Sequence, residues 1–289
     1  MSEVPSPPRF AGTYGDCSDW RKVAVSGRDA LAWLNDIVSA DLSTLDVNEG
    51  RRSLLLGPTG KVRASFQAVR LGDGSALLIQ DPAEPHPIDR LLAPYVLSAE
   101  VEIDDRTKDL ALLALPEARD PMAVPVGTWI KGSSLGDGGF DLLVAVDERG
   151  TAIAALPEPI RAATAAELEA YRVERGIPRV GVDVGEDDLP LEAGLGRAVA
   201  FDKGCYLGQE AVARVRNLGH PRRILISLQT DARITAGDLV FAHGEQAGRV
   251  TSAVPRDGVT VALASVRWAH RDGPLRTREG AELAARPLP

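Results

Sequence analysis

After residue 218 the chain breaks into short apolar runs: "RRILISLQ", "DLVFAHG", "EQAGRVTSAV" and "VTVALASV". Turn residues separate them at short intervals. That pattern predicts a small C-terminal barrel or sandwich, residues 218–289. The preceding 217 residues read differently. "GRDALAWLNDIVSADLSTL" (27–45) carries Leu31, Leu34 and Ile37 at helical spacing, so a helix is expected from near Arg28. "RRSLLLGPTGKVRASFQAVRL" (51–71) reads as two strands joined at Gly57-Pro58-Thr59-Gly60, and "SALLIQD" (75–81) as a third. "PIDRLLAPYVL" reads as a helix, with Pro87 near its first turn and Pro94 tightening its end. "EVEIDD" and "LALLALP" return to strand, and "GDGGFDLLVAV" is a glycine-rich turn into another. The glycines suggest a phosphate loop, but a strand follows them and no lysine–hydroxyl pair does. "ATAAELEAYRVERGIPRVG" (163–181) is a helix that Gly176 and Pro178 end. The expected class is α+β, with a largely antiparallel sheet before the terminal module.

Composition narrows the function classes. The 289 residues carry a net charge of −8, which argues against a generic nucleic-acid binder. No apolar run approaches the ~20 residues of a membrane span, and the first residues lack the basic head and apolar core of a signal peptide. Two cysteines, Cys17 and Cys205, are too few for a disulfide framework, so a reducing cytoplasm is the default. The four histidines are scattered and there is no CxxC, so no permanently bound metal is expected.

The stretch most suggestive of chemistry is "FDKGCYLGQEAVARVRN" (201–217). A lone cysteine is commonly a small buried hydrophobe. Cys205, however, stands just before a helix expected across "GQEAVARV", where the dipole favours a thiolate. Lys203 adds positive charge two residues away, and strand-like geometry would put both on one face. Glu210 partly cancels that field. Two further candidates stand outside the motif. Glu174, at a helix end, reads from pattern alone as a solvated side chain with Arg172 and Arg175 as surface partners. Arg214, Arg216, Arg222 and Arg223 are either an exposed mixed face or a clamp for a carboxylate-bearing ligand. No sequence-local hydrolase constellation is visible.

"KGCYLGQE" (203–210) resembles the signature of the YgfZ family, folate-binding proteins that maintain iron–sulfur enzymes and have mitochondrial relatives. That family is in turn related to the aminomethyltransferase (T-protein) of glycine cleavage. The likeness extends to "VAVSGRDALAWLNDIVSADLSTLDVNEG" (23–50), "YRVERGIPRVGVDVGEDDLPLEAGL" (171–195) and "GRVTSAV" (248–254). It implies a three-part ring: two α+β modules within residues 1–217 and a small β-barrel around a central folate channel. It implies tetrahydrofolate, or a one-carbon derivative, as cofactor. Glu174 would grip the pterin, whose ring N–H and exocyclic amine suit one carboxylate. Lys203 would be a basic ligand-binding residue, and Arg214, Arg216 and Arg223 would meet the folate's glutamate tail. The motif is Lys203, Gly204, Cys205, Tyr206, Gly208, Gln209 and Glu210, with Cys205 its functional thiol. Iron–sulfur enzymes or their assembly factors would be partners, with tRNA modification among the family's associations.

The chain also departs from the transferase. Arg63 and Ala64 stand where the transferase keeps an acid pair, and Ser134 where it keeps a tyrosine. Without that acid no proton-transfer group for C–N cleavage is evident. The expected function is therefore an accessory protein for iron–sulfur enzymes. A folate-dependent one-carbon enzyme and a scaffold with a structural Cys205 are the alternatives.

Overall fold

A computed structural model describes residues 10, 12–136, 138–218 and 220–288 of the chain. It sorts into two compact units, residues 10–164 with 197–211, and residues 165–196 with 212–288. This division differs from the 217/218 boundary expected from strand patterning. Residues 165–196 belong with the barrel because their helix packs on it, as described below.

The larger unit contains β1 (Thr13–Asp16), β2 (Arg21–Ser26), α1 (Ala30–Ile37), β3 (Gly50–Leu56), β4 (Val62–Arg70), β5 (Ala76–Gln80) and α2 (Ile88–Leu92). It continues with β6 (Glu102–Asp105), β7 (Leu110–Leu115), β8 (Thr128–Lys131), β9 (Phe140–Ala145), α3 (Arg149–Ala155) and β10 (Arg161–Ala162). These strands form two five-stranded sheets, β3-β4-β5-β2-β6 and β10-β1-β7-β9-β8. The first is antiparallel throughout; in the second, only β1 and β10 run parallel.

Alternation along β4 explains the layering. Ala64, Phe66 and Ala68 join a core with Ala30 and Leu34 of α1 and Ile88 and Leu92 of α2. Val69, on the opposite face, packs with Leu77 and Ile79 of β5 and with Leu112, Ala114 and Ile130 of the second sheet. That sheet's far face buries Leu113, Leu142 and Val144 beneath Ala152 of α3. The order is helix, sheet, sheet, helix. The helix expected across 27–45 is shorter than its apolar spacing suggests, because Val38 turns extended (φ −92°, ψ 160°) and ends α1. Pro94 sits in a 3-10 turn after α2, as expected of a tightened end.

The smaller unit holds α4 (Ala165–Glu174) and six barrel strands: β11 (Arg223–Thr230), β12 (Leu239–Ala242), β13 (Glu245–Arg256), β14 (Val259–Arg267), β15 (Leu275–Arg276) and β16 (Glu282–Pro287). They close in the order β11-β14-β13-β12-β15-β16. Two hairpins turn on two-residue loops with both residues at positive φ, His243-Gly244 and Asp257-Gly258, a geometry that suits the strand twist. The interior is filled by Ile226, Leu228, Val240, Val250, Ala264 and Val266. On the outer face Leu225, Val254 and Leu263 pack under Ala170 and Val173 of α4. A last helix, α5 (Gln209–Leu218), leads from the motif toward β11. Among the described residues no helix is long and apolar enough to cross a membrane.

Candidate functional site

The motif builds a frame and leaves its thiol outside. Lys203 donates all three ammonium protons to backbone carbonyls at the end of α1, those of Asn35 (2.6 Å), Val38 (2.6 Å) and Ala40 (2.7 Å). Burial pulls its pKa down to about 8, against the opposing pull of Asp41 and Asp36. The ammonium also lies 5.1 Å from the ring centre of Tyr206, which is buried. Gln209 accepts the Tyr206 N–H through Oε1 (3.2 Å), closing the turn before α5. Gly208 sits at φ +79°, and an added Cβ there would stand 2.4 Å from the Gly57 carbonyl oxygen. Its backbone therefore lies directly on the β3–β4 turn, and only glycine fits. Gly204 is exposed, Cys205 is exposed, and Glu210 is exposed in the first turn of α5. Both cysteines are free, and Cys17 is buried among apolar side chains, which push its thiol pKa up.

Two sequence expectations change here. Lys203 does not form a strand face with Cys205: residues 201–206 are irregular. Its protons are committed to α1, so it is an anchor rather than a free donor for a ligand or thiolate.

Glu174 is not a solvated helix end. The helix closes on Gly176 (φ +68°) through paired bonds, Gly176 N–H to Val173 O (3.1 Å) and Ile177 N–H to Arg172 O (2.9 Å). The Glu174 side chain, one residue before the cap, is 6% exposed. Arg172 does not partner it. That guanidinium is buried and binds Glu169 (2.5 Å), Asp183 (2.5 Å) and Ser252 (2.7 Å), tying α4 to β13. Arg175 lies over the Tyr171 ring, and its charge also pulls the Glu174 pKa down. The partner of Glu174 is Arg256, at the end of β13, with Nε 3.4 Å from Oε1. The pair is incomplete: Glu174 Oε1 and Arg256 Nε are both buried without a hydrogen-bond partner. Burial raises the Glu174 pKa, Arg256 lowers it and Asp257 raises it again. Arg256 Nε also lies 3.2 Å from Asp257 Oδ2, so the guanidinium is ion-paired to two carboxylates, while Glu174 Oε1 and Arg256 Nε make no hydrogen bond.

Glu174, Arg214, Arg216 and Arg223 fall in the barrel unit, whereas Lys203, Gly204, Cys205, Tyr206, Gly208, Gln209 and Glu210 fall in the larger unit. Arg214 and Arg216 are exposed on α5. Within the barrel unit Arg223 is distant from Glu174. Arg256 pairs with Val259 at one end of β14 and Arg223 pairs with Arg267 at the other. Eight residues of strand separate those ends, roughly 27 Å. Register therefore separates Arg223, expected to meet the folate tail, from Glu174, expected to grip the pterin.

Comparison with known proteins bears on the fold. The GCVT N-terminal domain model matches residues 9–128. The tRNA-modifying protein YgfZ of Aliivibrio fischeri is 26% identical over 268 residues, covering 87% of this chain and 84% of its own. The glycine cleavage aminomethyltransferase T of Bartonella henselae superposes with a TM-score of 0.78 at 22% identity, over 94% of this chain and 84% of that one. The chain has a GcvT-like fold and is similar in sequence to YgfZ and to aminomethyltransferase. Aminomethyltransferase of Geobacillus kaustophilus is 27% identical over 277 residues, 84% of this chain and 74% of that protein. A chloroplastic Arabidopsis thaliana protein named as a transferase is 26% identical over 82% of this chain, which spans 60% of its length.

In this chain Ala64 is fully buried in the core beneath α1, and Arg63 lies on the opposite face of β4. Ser134 is buried too, its Oγ donating to Asp141 Oδ2 (2.5 Å). Sequence reasoning missed Arg256, whose only local signal is the Asp-Gly turn beside it. It also missed a buried polar group around Arg52. Arg52 donates to Ser65 Oγ (3.4 Å) and Ser134 O (3.0 Å), while Glu84 Oε2 accepts the Ser65 N–H (3.0 Å). Among the described residues no cluster of His, Cys, Asp and Glu could hold a metal ion.

Proposed function

We propose that this chain is a tetrahydrofolate-binding accessory protein that supports assembly or repair of iron–sulfur enzymes in a reducing cytoplasm. The observation that carries the reading is the unfinished Glu174–Arg256 pair. A pterin edge presents a ring N–H, an exocyclic amine and a carbonyl in a row, which suits an adjoining carboxylate and guanidinium. The residues present thus fit the cofactor. Glu174 and Arg256 would hold the pterin, and Arg214 and Arg216 would face the anionic tail. A reduced folate, when bound, carries one-carbon units. Cys205 would be the contact with a client, since the motif secures its neighbours and leaves the sulfur open. One-carbon transfer is less favoured, because Arg63 and Ala64 supply no acid.

Titration of tetrahydrofolate by intrinsic fluorescence tests the site. Glu174→Gln should weaken binding about 30-fold, equivalent to roughly 2 kcal/mol for hydrogen bonds to a charged group; unchanged affinity would refute the pterin assignment. Wild type should restore cluster-enzyme activity in a deletion strain and Cys205→Ala should not. Rescue by both would leave a scaffold. Turnover of methylene-tetrahydrofolate that is lost in Cys205→Ala would establish the one-carbon enzyme instead.

A further inference from the structure

Arginine is concentrated in the segment that leads into and forms the barrel. Between residues 212 and 271 nine arginines stand against four carboxylates, within a chain of net charge −8. Three of them share one patch. Ile224, Ala264, Val266 and Val250 point into the barrel, so Arg223, Ser265, Arg267 and Arg249 point out. Arg223 and Arg267 are direct cross-strand partners, and Arg249 is registered opposite Ser265. Arg223 bends toward that serine, its Nε donating to Ser265 Oγ (3.2 Å). All three arginines are exposed, and none has a carboxylate within 4.0 Å among the described residues. Like charges directly opposite on neighbouring strands destabilise a sheet. This barrel retains the juxtaposition on the same outer face that α4 covers further along with Leu225 and Leu263 beneath it.

We propose that Arg223, Arg249 and Arg267 form a docking surface for an acidic peptide segment of a partner protein. Three guanidinium groups across three adjacent strands span roughly 10 Å, the scale of a few carboxylates on an extended peptide. Nucleic acid is the poorer fit. Its affinity grows with the number of phosphates neutralised, and three arginines neutralise only a few. The nearby Trp268 has no ring face for a base, since His220 stacks on it at 5.8 Å and Arg271 lies 3.9 Å from its centre. The surface does not depend on the pterin assignment, because Glu174 lies at the other end of the strands.

Fluorescence anisotropy with labelled deca-glutamate and a labelled ten-nucleotide RNA tests the assignment. Deca-glutamate should bind the wild-type chain, and Arg249→Glu/Arg267→Glu should weaken it at least tenfold. Arg90→Glu, on α2, should leave it unchanged. Arg267→Glu alone places opposite charges across the ladder, so its melting temperature should hold or rise while peptide affinity falls, which separates lost binding from lost folding. Peptide affinity insensitive to both sets of variants, or tighter RNA binding that the same substitutions abolish, would overturn the proposal.

Discussion

Lys203 and Cys205 are two residues apart in one motif and have opposite relations to the fold. The lysine satisfies three carbonyls in and just after the last turn of α1, and the cysteine is exposed with a free thiol. Removing the ammonium strands those carbonyls. Lys203→Met should therefore cost about 2–3 kcal/mol in urea denaturation, and Cys205→Ser should stay within about 0.5 kcal/mol of wild type. Equal effects would mean that the motif is not divided into frame and thiol. The sequence alone showed that a thiol sat among unusual neighbours. It could not show which neighbour served it, because side-chain direction in an irregular loop follows from the contact made at the end of α1, 163 to 168 residues earlier. Glu174 shows the same limit from the other side. Its place at a helix end was legible, but its burial depends on Arg256 and Asp257, supplied by a distant hairpin.

Between elements, the tightest demand falls where the start of α5 meets the β3–β4 turn. Gly208 combines a left-handed backbone with an approach that leaves no room for Cβ, whereas an added Cβ at Gly204 meets nothing within 4 Å. Gly208→Ala should destabilise by about 2 kcal/mol or more, and it should speed amide exchange at residues 57–60 because the clash is with that turn's backbone. Gly204→Ala should change neither. Loss of stability in both variants would point to a general demand for loop flexibility rather than a contact. Elements with local signatures were readable: the strands of the 51–71 hairpin, the helix ending at Gly176 and four of the six barrel strands. β1, β8 and β15 were not. They are four, four and two residues long, and they owe their state to pairing with remote strands, as Gly15 does with Ala114.

At the scale of the whole molecule, unit membership was the least legible property, because α4 joins the barrel through Ala170 and Val173 on Leu225 and Leu263, contacts that no local pattern announces. The same holds for the buried acids, which make a prediction about stability. Burial raises Glu84 to about 7 and Asp141 to about 6, although hydrogen bonds from Ser65, Gln80, Ser133 and Ser134 oppose the shift. Raised carboxyl pKa values mean that the folded chain holds protons the unfolded chain has released. Stability should accordingly fall as pH rises from about 5 to 7.5. Buried Lys22 and half-buried Lys203 act in the opposite sense. Burial lowers each to about 8, so above that pH the unfolded chain holds the extra protons and stability should recover toward pH 10. Below about pH 4 the carboxylates held down by hydrogen bonds, Asp41, Asp73 and Asp105 among them, should take stability away again. The melting temperature against pH should therefore show a maximum near 5 and a minimum near 7.5–8. Glu84→Gln keeps an acceptor for the Ser65 N–H and removes the titration. It should flatten the limb between pH 5 and 7.5 by up to about 3 kcal/mol, at roughly 1.4 kcal/mol per pKa unit. A wild-type melting temperature that rises steadily from pH 5 to 8 would show that these acids are ionised without penalty, and that the cluster around Arg52 is wetter than its packing indicates.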